Sequence, residues 1–306
     1  MNLKRIVIAG GSGFIGRTLA RELYLRHYEV VILTRTPRIR TSDIREVAWD
    51  GQNPGVWEQE LDSAYAVINL TGKSIDCRHN AANLRAIADS RVNSIRALAA
   101  ACACVATPPR VWVQASAVGF YGDTGDKLRD ESAPAGSNAL AGICQQWENA
   151  LTEATLPRTR KVTLRIGMVL GESGGAMPFL DKLTRFFLGG MAGQGTQYIS
   201  WIHISDLVRM FLLCVERENF FATLNAVAPN PATNADFMRE LRDVLHRPWA
   251  PPAPAFAVKL AANFFETEPS LVLTGQRVVP GIFQELEFPY RFPQLRPALA
   301  DVCAKI

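Results

Sequence analysis

The sequence predicts an α/β protein organised around a parallel, doubly wound sheet, and three observations carry that prediction. Short, almost continuous apolar runs recur along the first half of the chain. They alternate with stretches whose apolar residues repeat at helical spacing. The first run ends in a cluster of glycines and passes directly into a helical pattern. Strands without polar alternation are buried on both faces, which is the environment of a parallel sheet covered by helices.

Each element has its own signal. Arg5–Ala9 (RIVIA) is β-branched and stops at glycine, and residues 17–25 then read as helix. Glu29–Thr34 (EVVILT) is a second strand, and residues 66–70 (AVINL), 111–116 (VWVQAS) and 162–167 read as later ones. Residues 84–106 form a long helical pattern and 145–155 a shorter one. The first unit is therefore expected to span 1–170. Beyond it, Gly174-Gly175, Gly189-Gly190, Gly193-Gln194-Gly195 and the proline-rich stretch 248–254 break the pattern. Residues 171–306 are expected to form a smaller α/β lid, with some segments returning to the sheet.

The 306 residues are 48% hydrophobic and 20% charged, with 22 Gly and 18 Pro, a globular composition that excludes disordered and fibrous classes. The balance of 33 basic and 29 acidic residues gives +4 without blocks of like charge, which argues against a nucleic-acid or membrane-surface partner. No apolar run approaches the ~18 residues of a bilayer span. Residues 1–6 lack the order of a signal peptide, so a cytoplasmic location is expected. The six cysteines, Cys77, Cys102, Cys104, Cys144, Cys214 and Cys303, contain no C-x-x-C pair and no histidine at ligand spacing, so no metal is expected.

The glycine cluster, Gly10-Gly11-Ser12-Gly13-Phe14-Ile15-Gly16, satisfies G-x-G-x-x-G from Gly11 and G-x-x-G-x-x-G from Gly10. Between a strand and a helix, such glycines let the backbone approach a pyrophosphate while the helix N-terminus supplies N–H groups. The fold expected is thus a dinucleotide-binding Rossmann fold. NAD sites place a carboxylate about 20 residues on, against the ribose 2′-OH. Here Thr34-Arg35 stands at that place. Arg35 can fork onto a 2′-phosphate and Thr34 can donate to it, so the cofactor expected is NADP(H). The other reading leaves Arg35 in solvent beside Arg38 and Arg40.

Further stretches resemble a known family: 69–73 (NLTGK), 89–92 (DSRV), 115–122 (ASAVGFYG), 165–171 (RIGMVLG), 174–177 (GGAM), 200–207 (SWIHISDL), 225–237 and 275–280 with 288–299. With Gly10 to Gly16 and Thr34-Arg35 they make the chain similar to atypical, extended-like short-chain dehydrogenases/reductases, the sugar-nucleotide epimerase-like family of the YfcH type. The resemblance implies NADP contacts at Leu70, Thr71, Arg91 and Val169 in addition to Thr34 and Arg35. Leu70 and Thr71 would lie against adenosine and ribose. Arg91 would reach phosphate or ribose, or else stand as an ordinary solvated helix residue, and Val169 would offer backbone to the nicotinamide.

The wider superfamily uses Tyr-x-x-x-Lys, in which lysine lowers the pKa of a proton-shuttling tyrosine and a nearby Ser or Thr holds the carbonyl oxygen. Counting back from Glu148, this chain has Leu140 and Cys144 at those places. Ser116 and Tyr121, at the end of a strand, are the remaining candidates, with Ser116 holding a substrate oxygen and Tyr121 donating the proton. Anchoring on Tyr121-Gly122 puts the superfamily serine at Ala117, so Ser116 fits with one extra residue in the turn. The alternative is a strand-end serine and a packing tyrosine. A phenol with an ordinary pKa near ~10 needs a cationic neighbour, which the sequence does not identify. His203 reads as structural, with Ser205 or Asp206 capping the helix after it, and residues 233–236 read as another cap. Trp147 and Trp201 line a pocket or fill the core. The function expected is an NADP-dependent oxidoreductase or epimerase-like enzyme acting on a small polar substrate. The alternative is an NADP-binding sensor or scaffold that has lost the proton relay.

Overall fold

The computed structural model describes residues 3–38, 44–218, 220 and 223–306; Arg40 lies outside them. A seven-stranded parallel sheet forms the centre, in the order β10-β6-β5-β4-β1-β2-β3. Its strands are β1 (Arg5–Ala9), β2 (Glu29–Thr34), β3 (Arg45–Ala48), β4 (Ala66–Asn69), β5 (Val111–Ala117), β6 (Arg160–Ile166) and β10 (Thr223–Ala226). Ile8 pairs with Ile32 on one side and Ile68 on the other, so the longest apolar runs occupy the middle of the sheet. Helices cover both faces. α1 (Phe14–Leu25) packs against α5 (Ile204–Glu216), and α2 (Ala81–Cys104) against α3 (Ala139–Glu153).

The remaining elements gather around a second core containing Met177, Trp201, Phe237 and Leu299. They are β7 (Met168–Leu170) paired with β9 (Trp201–His203), β8 (Tyr198–Ile199) paired with β11 (Ala232–Thr233), and α4 (Met177–Arg185), α6 (Asn234–Val244), α7 (Ala255–Phe264), α8 (Ser270–Leu273), α9 (Gly281–Glu285) and α10 (Leu295–Cys303). Chain order and core membership part company past residue 170. α5, β10, Phe283 and Phe288 belong to the first core.

Several boundaries differ from the sequence pattern for local reasons. α2 begins at Ala81 because the Asn80 side chain accepts from Asn83 N, and α3 begins at Ala139 because Asn138 accepts from Ala141 N. The cap of α5 is His203, whose Nδ1 accepts from Ser205 N, and neither Ser205 nor Asp206. The Asp206 carboxylate instead accepts from Arg291 N and Phe292 N, at 2.8 and 2.9 Å. Thr233 caps α6, as its spacing to Asp236 predicts.

At the N-terminal edge of the sheet, three basic side chains cap the C-terminal ends of helices. Arg158 donates to Ala106 O after α2, Lys161 to Leu151 and Ala154 O at the end of α3, and Arg160 to Cys214 O in α5. Their charges answer the negative ends of three helix dipoles. A cavity of about 560 Å³ opens at this edge beside Tyr65 and Arg110, away from the glycine turn.

Candidate functional site

The sheet order reverses between β1 and β4, and ligands of open α/β sheets bind at the C-terminal ends of strands on either side of such a switch. The two strand ends touch there. Gly10 has a φ of +73°, and a Cβ on it would come within 3.0 Å of Thr71 N. A Cβ on Gly16 would come 2.5 Å from Gly11 Cα, so only glycine lets α1 start this close to the turn. Gly13 is the N-cap of α1 and contributes no side chain, which leaves the first N–H groups, from Phe14 onward, open to an anion. Ile15 packs against the core, while the Phe14 ring lies beneath the 171–175 segment. A Cβ on Gly171 would strike that ring at 2.4 Å, so the glycines after β7 let this segment sit directly on the Phe14 ring at the start of α1.

Beside the turn, Ser12, Arg17, Thr34, Arg35, Thr36, Arg38 and Glu46 surround a cavity of about 200 Å³. Thr34 Oγ1 donates to Ser12 Oγ at 3.0 Å, joining the end of β2 to the glycine loop. Glu46 accepts from Arg38 N at 2.8 Å. Three arginines and the hydroxyls of Ser12, Thr34 and Thr36, with the Glu46 carboxylate beside them, give this cavity donors that could take up an oxyanion. Sequence reasoning named Thr34 and Arg35. Ser12 inside the motif and Arg17 one residue after Gly16 were available from spacing, since the first turn of α1 faces the end of β2.

Two orphaned polar atoms test whether a nucleotide fits. Among the described residues, the buried Thr71 Oγ1 and Trp147 Nε1 have no hydrogen-bond partner. Buried hydroxyl and indole groups are ordinarily satisfied, so both atoms could take up a polar group of a ligand, as could ordered water. Thr71 N is held by Asn69 Oδ1 at 3.0 Å, and Leu70 N by Ala9 O at 2.9 Å, which fixes the loop after β4. Arg91 donates to Lys73 O and Ile87 O, and its guanidinium lies 4.8 Å over the Trp147 ring. Burial lowers its pKa, and no carboxylate among the described residues pairs with it. Arg91 is thus a half-buried cation held beside the loop after β4. Val169, in β7, is half-buried beside Gly175.

A second group of polar side chains lies at the ends of β5, β6 and β10. Ser116 donates to Glu148 Oε1 at 2.7 Å. Arg165 grips both oxygens of Glu148, at 2.9 and 2.7 Å, and donates through its remaining nitrogen to the Tyr121 hydroxyl at 2.9 Å. Tyr121 in turn donates to Asn225 Oδ1 at 2.8 Å, and Asn225 is anchored by Glu131 and by Val279 O. The Arg165 guanidinium also lies 3.4 Å over Phe120. Ser116, Tyr121 and Arg165 are all buried. Burial pushes the Tyr121 pKa up, and the Arg165 charge with the Arg165 and Asn225 hydrogen bonds pull it back only in part. Arg165 is thus the cationic neighbour of Tyr121, although burial outweighs its charge.

Residues 6–225 match the NAD dependent epimerase/dehydratase family, and residues 253–302 match a domain of unknown function, DUF1731. The chain belongs to the epimerase family. It is 34% identical over 306 residues to the epimerase family protein SDR39U1 of Homo sapiens, covering 98% of this chain and 100% of that protein. It is 33% identical to the epimerase family protein ML0860 of Mycobacterium leprae, over 96% of this chain and 94% of that one. The crystal structure of human SDR39U1 isoform 2 with NADPH superposes with a TM-score of 0.88 at 31% identity, covering 99% of this chain and 100% of that chain.

The positions that counting back from Glu148 assigns to tyrosine and lysine carry other side chains. Leu140 is half-buried, and Cys144 is buried with its thiol pushed up to about 12 by desolvation. At neutral pH it is a neutral thiol, so no cation arises from α3 at that position. Other candidates resolve into packing. His203 Nδ1 meets Ser205, its Nε2 meets Asp301 at 3.1 Å, and its ring lies against Phe292. Trp201 is fully buried and donates to Asn230 O. Among the described residues no cluster could hold a metal ion, and no helix is long and apolar enough to cross a membrane.

Proposed function

We propose that this chain binds NADP(H) across the β1/β4 switch point and acts as an NADP-dependent oxidoreductase or epimerase-like enzyme on a small polar substrate. The observation that carries the reading is the 2.9 Å contact from Arg165 to the Tyr121 hydroxyl, continued through Glu148 to Ser116. In this reading the 2′-phosphate occupies the cavity of Arg17, Arg35 and Arg38, and the pyrophosphate lies on the Gly10 to Gly16 turn. Thr71 and Arg91 face the ribose and phosphates, and Val169 the nicotinamide. NADP(H), when bound, supplies or accepts a hydride at its nicotinamide ring.

The chain's own residues handle the proton. Tyr121 Oη holds it, and Arg165 stabilises the phenolate left behind. Ser116 Oγ orients the substrate oxygen, and Glu148 fixes Ser116 and Arg165 relative to one another. Residues 1–170 supply the nucleotide site and residues 171–306 the larger share of the substrate cover. A cytoplasmic setting accords with cysteines that are all free thiols.

One observation favours the sensor or scaffold as a second reading. The Tyr121 hydroxyl is buried and already has both an acceptor and a donor. Stereospecifically deuterated NADPH incubated with metabolite pools separates the two. Transfer of the label to a product supports the enzyme, and no transfer alongside tight NADPH binding supports the sensor.

A further inference from the structure

The cavity of about 560 Å³ at the N-terminal edge of the sheet has no part in the proposed function. Val111 opens β5 and Arg160 opens β6, and both lie on its wall. It therefore sits at the far end of the strands that carry Ser116 and Arg165. Its volume falls within the ~300–1,000 Å³ of small-molecule sites. Four cations, Arg110, Arg158, Arg160 and Lys161, line it, against the single carboxylate of Glu218.

Among the described residues, none of these four cations forms an ion pair with a carboxylate. Three of them spend donors on helix ends. Lys161 gives its ammonium to Leu151, Thr152 and Ala154 O, Arg160 reaches Cys214 and Phe220 O, and Arg158 reaches Ala106 O. A helix C-terminus carries about half a negative charge, so three ends offset less than half of the four positive charges. Adding Glu218 still leaves the cavity positive. Burial accordingly lowers the pKa of both Arg160 and Lys161, and the nearby Glu218 does not cancel the effect at Arg160.

Arg110 differs from the other three. Its guanidinium is 5.9 Å from the centre of the Tyr65 ring, over which Lys4 also stands at 4.3 Å. Among the described residues, neither the Arg110 guanidinium nor the Tyr65 hydroxyl has a hydrogen-bond partner. Arg158 keeps every donor but the one on Ala106 O.

We propose that this cavity binds a small phosphorylated molecule, whose phosphate is held by Arg110, Arg158 and the Tyr65 hydroxyl at a site separate from the NADP(H) cleft. A carboxylate has two oxygens and is filled by one guanidinium fork. A phosphate dianion has three terminal oxygens and can accept from two forks and a hydroxyl together.

Calorimetric titration of the NADPH-saturated protein with inorganic pyrophosphate tests the proposal, because the nucleotide keeps the glycine turn occupied. One equivalent is expected to bind with a dissociation constant below about 1 mM. Arg110→Ala removes a side chain that bonds nothing in the protein. It should weaken pyrophosphate about tenfold to a hundredfold while the circular dichroism spectrum and NADPH affinity stay unchanged. Glu218→Gln should tighten pyrophosphate several-fold, a gain that the loss of a merely structural contact would not give. Arg21→Ala, at an exposed arginine on α1, should leave binding as it is. The absence of binding up to about 10 mM, or an Arg110→Ala protein of undiminished affinity, overturns the proposal. So does an Arg21→Ala loss as large as that of Arg110→Ala, which would mean that pyrophosphate pairs with basic surface at large.

Discussion

The two halves of the sheet's C-terminal edge are built on opposite principles. At β1, β2 and β4 the polar groups are left open. Arg17, Arg35 and Arg38 are exposed, Thr71 Oγ1 is without a partner, and the first turn of α1 has no side-chain cap. At β5, β6 and β10 the polar groups are satisfied by one another, from Ser116 through Glu148, Arg165 and Tyr121 to Asn225. A site that recruits a large anion gains from donors that water alone occupies beforehand. A site that orients a proton gains from atoms already held in place, because fixed dipoles need no reorganisation during reaction. Under the proposed function, affinity would reside on the β2 side and geometry on the β5 side.

Perturbing each half should break that contrast in a different observable. Tyr121→Phe is expected to lower label transfer from deuterated NADPH by about 10²–10⁴-fold while NADPH affinity is unchanged. Undiminished transfer removes Tyr121 from the chemistry. Arg165→Met strands the largely buried Glu148 carboxylate, whose side chain is 11% exposed, and urea unfolding should show a loss of about 3 kcal/mol. A loss below about 1 kcal/mol would mean that water already solvates the pair.

On the open half the folded state should be indifferent to substitution. Arg35→Ala is expected to weaken NADPH binding by about tenfold to a hundredfold in calorimetry and to leave NADH nearly unaffected. Equal losses for the two nucleotides would place Arg35 away from the 2′-phosphate. Thr71→Val should cost about 0.5–1.5 kcal/mol of affinity for both nucleotides, since its hydroxyl has no partner in the protein to lose.

The smallest effect concerns pH. Burial holds the His203 pKa below its ordinary 6.5, against the opposing charges of Asp301 and Asp206. The unfolded chain therefore takes up the proton first as pH falls, and the stability His203 provides above that value is lost below it. The melting temperature should drop between pH 7.5 and 5.5, and His203→Gln should flatten that slope. An identical slope in the variant would assign the pH dependence to other groups.

The division between the halves also governs what the sequence could reveal. Gly10, Thr34 and Arg35 were legible because they lie at, or one residue past, a strand end whose periodicity announces it, and Gly13 and Gly16 because they follow at the motif's fixed spacing. β3 (REVA) and β10 (TLNA) were not, because they are short and carry little apolar signal. The Glu148 to Arg165 pair was equally hidden. It joins a helix to a strand 17 residues away, and Asn225 completes the chain 104 residues beyond Tyr121. Such contacts depend on how elements pack, which spacing alone does not encode. Counting back from Glu148 put Cys144 at the expected lysine position but could not show that Arg165 brings a cation to Tyr121 from a different strand.

The position of β10 has a consequence for biosynthesis. β6 gains its outer neighbour only from Thr223–Ala226, after α4, β7, β9 and α5 have been made. A nascent chain that has emerged to about residue 170 therefore presents an unpaired edge of β6, the kind of template on which strands of other molecules aggregate. Asn225, which closes that edge, also bonds Tyr121, so the sheet and the proposed proton-handling group reach their final form in the same late event.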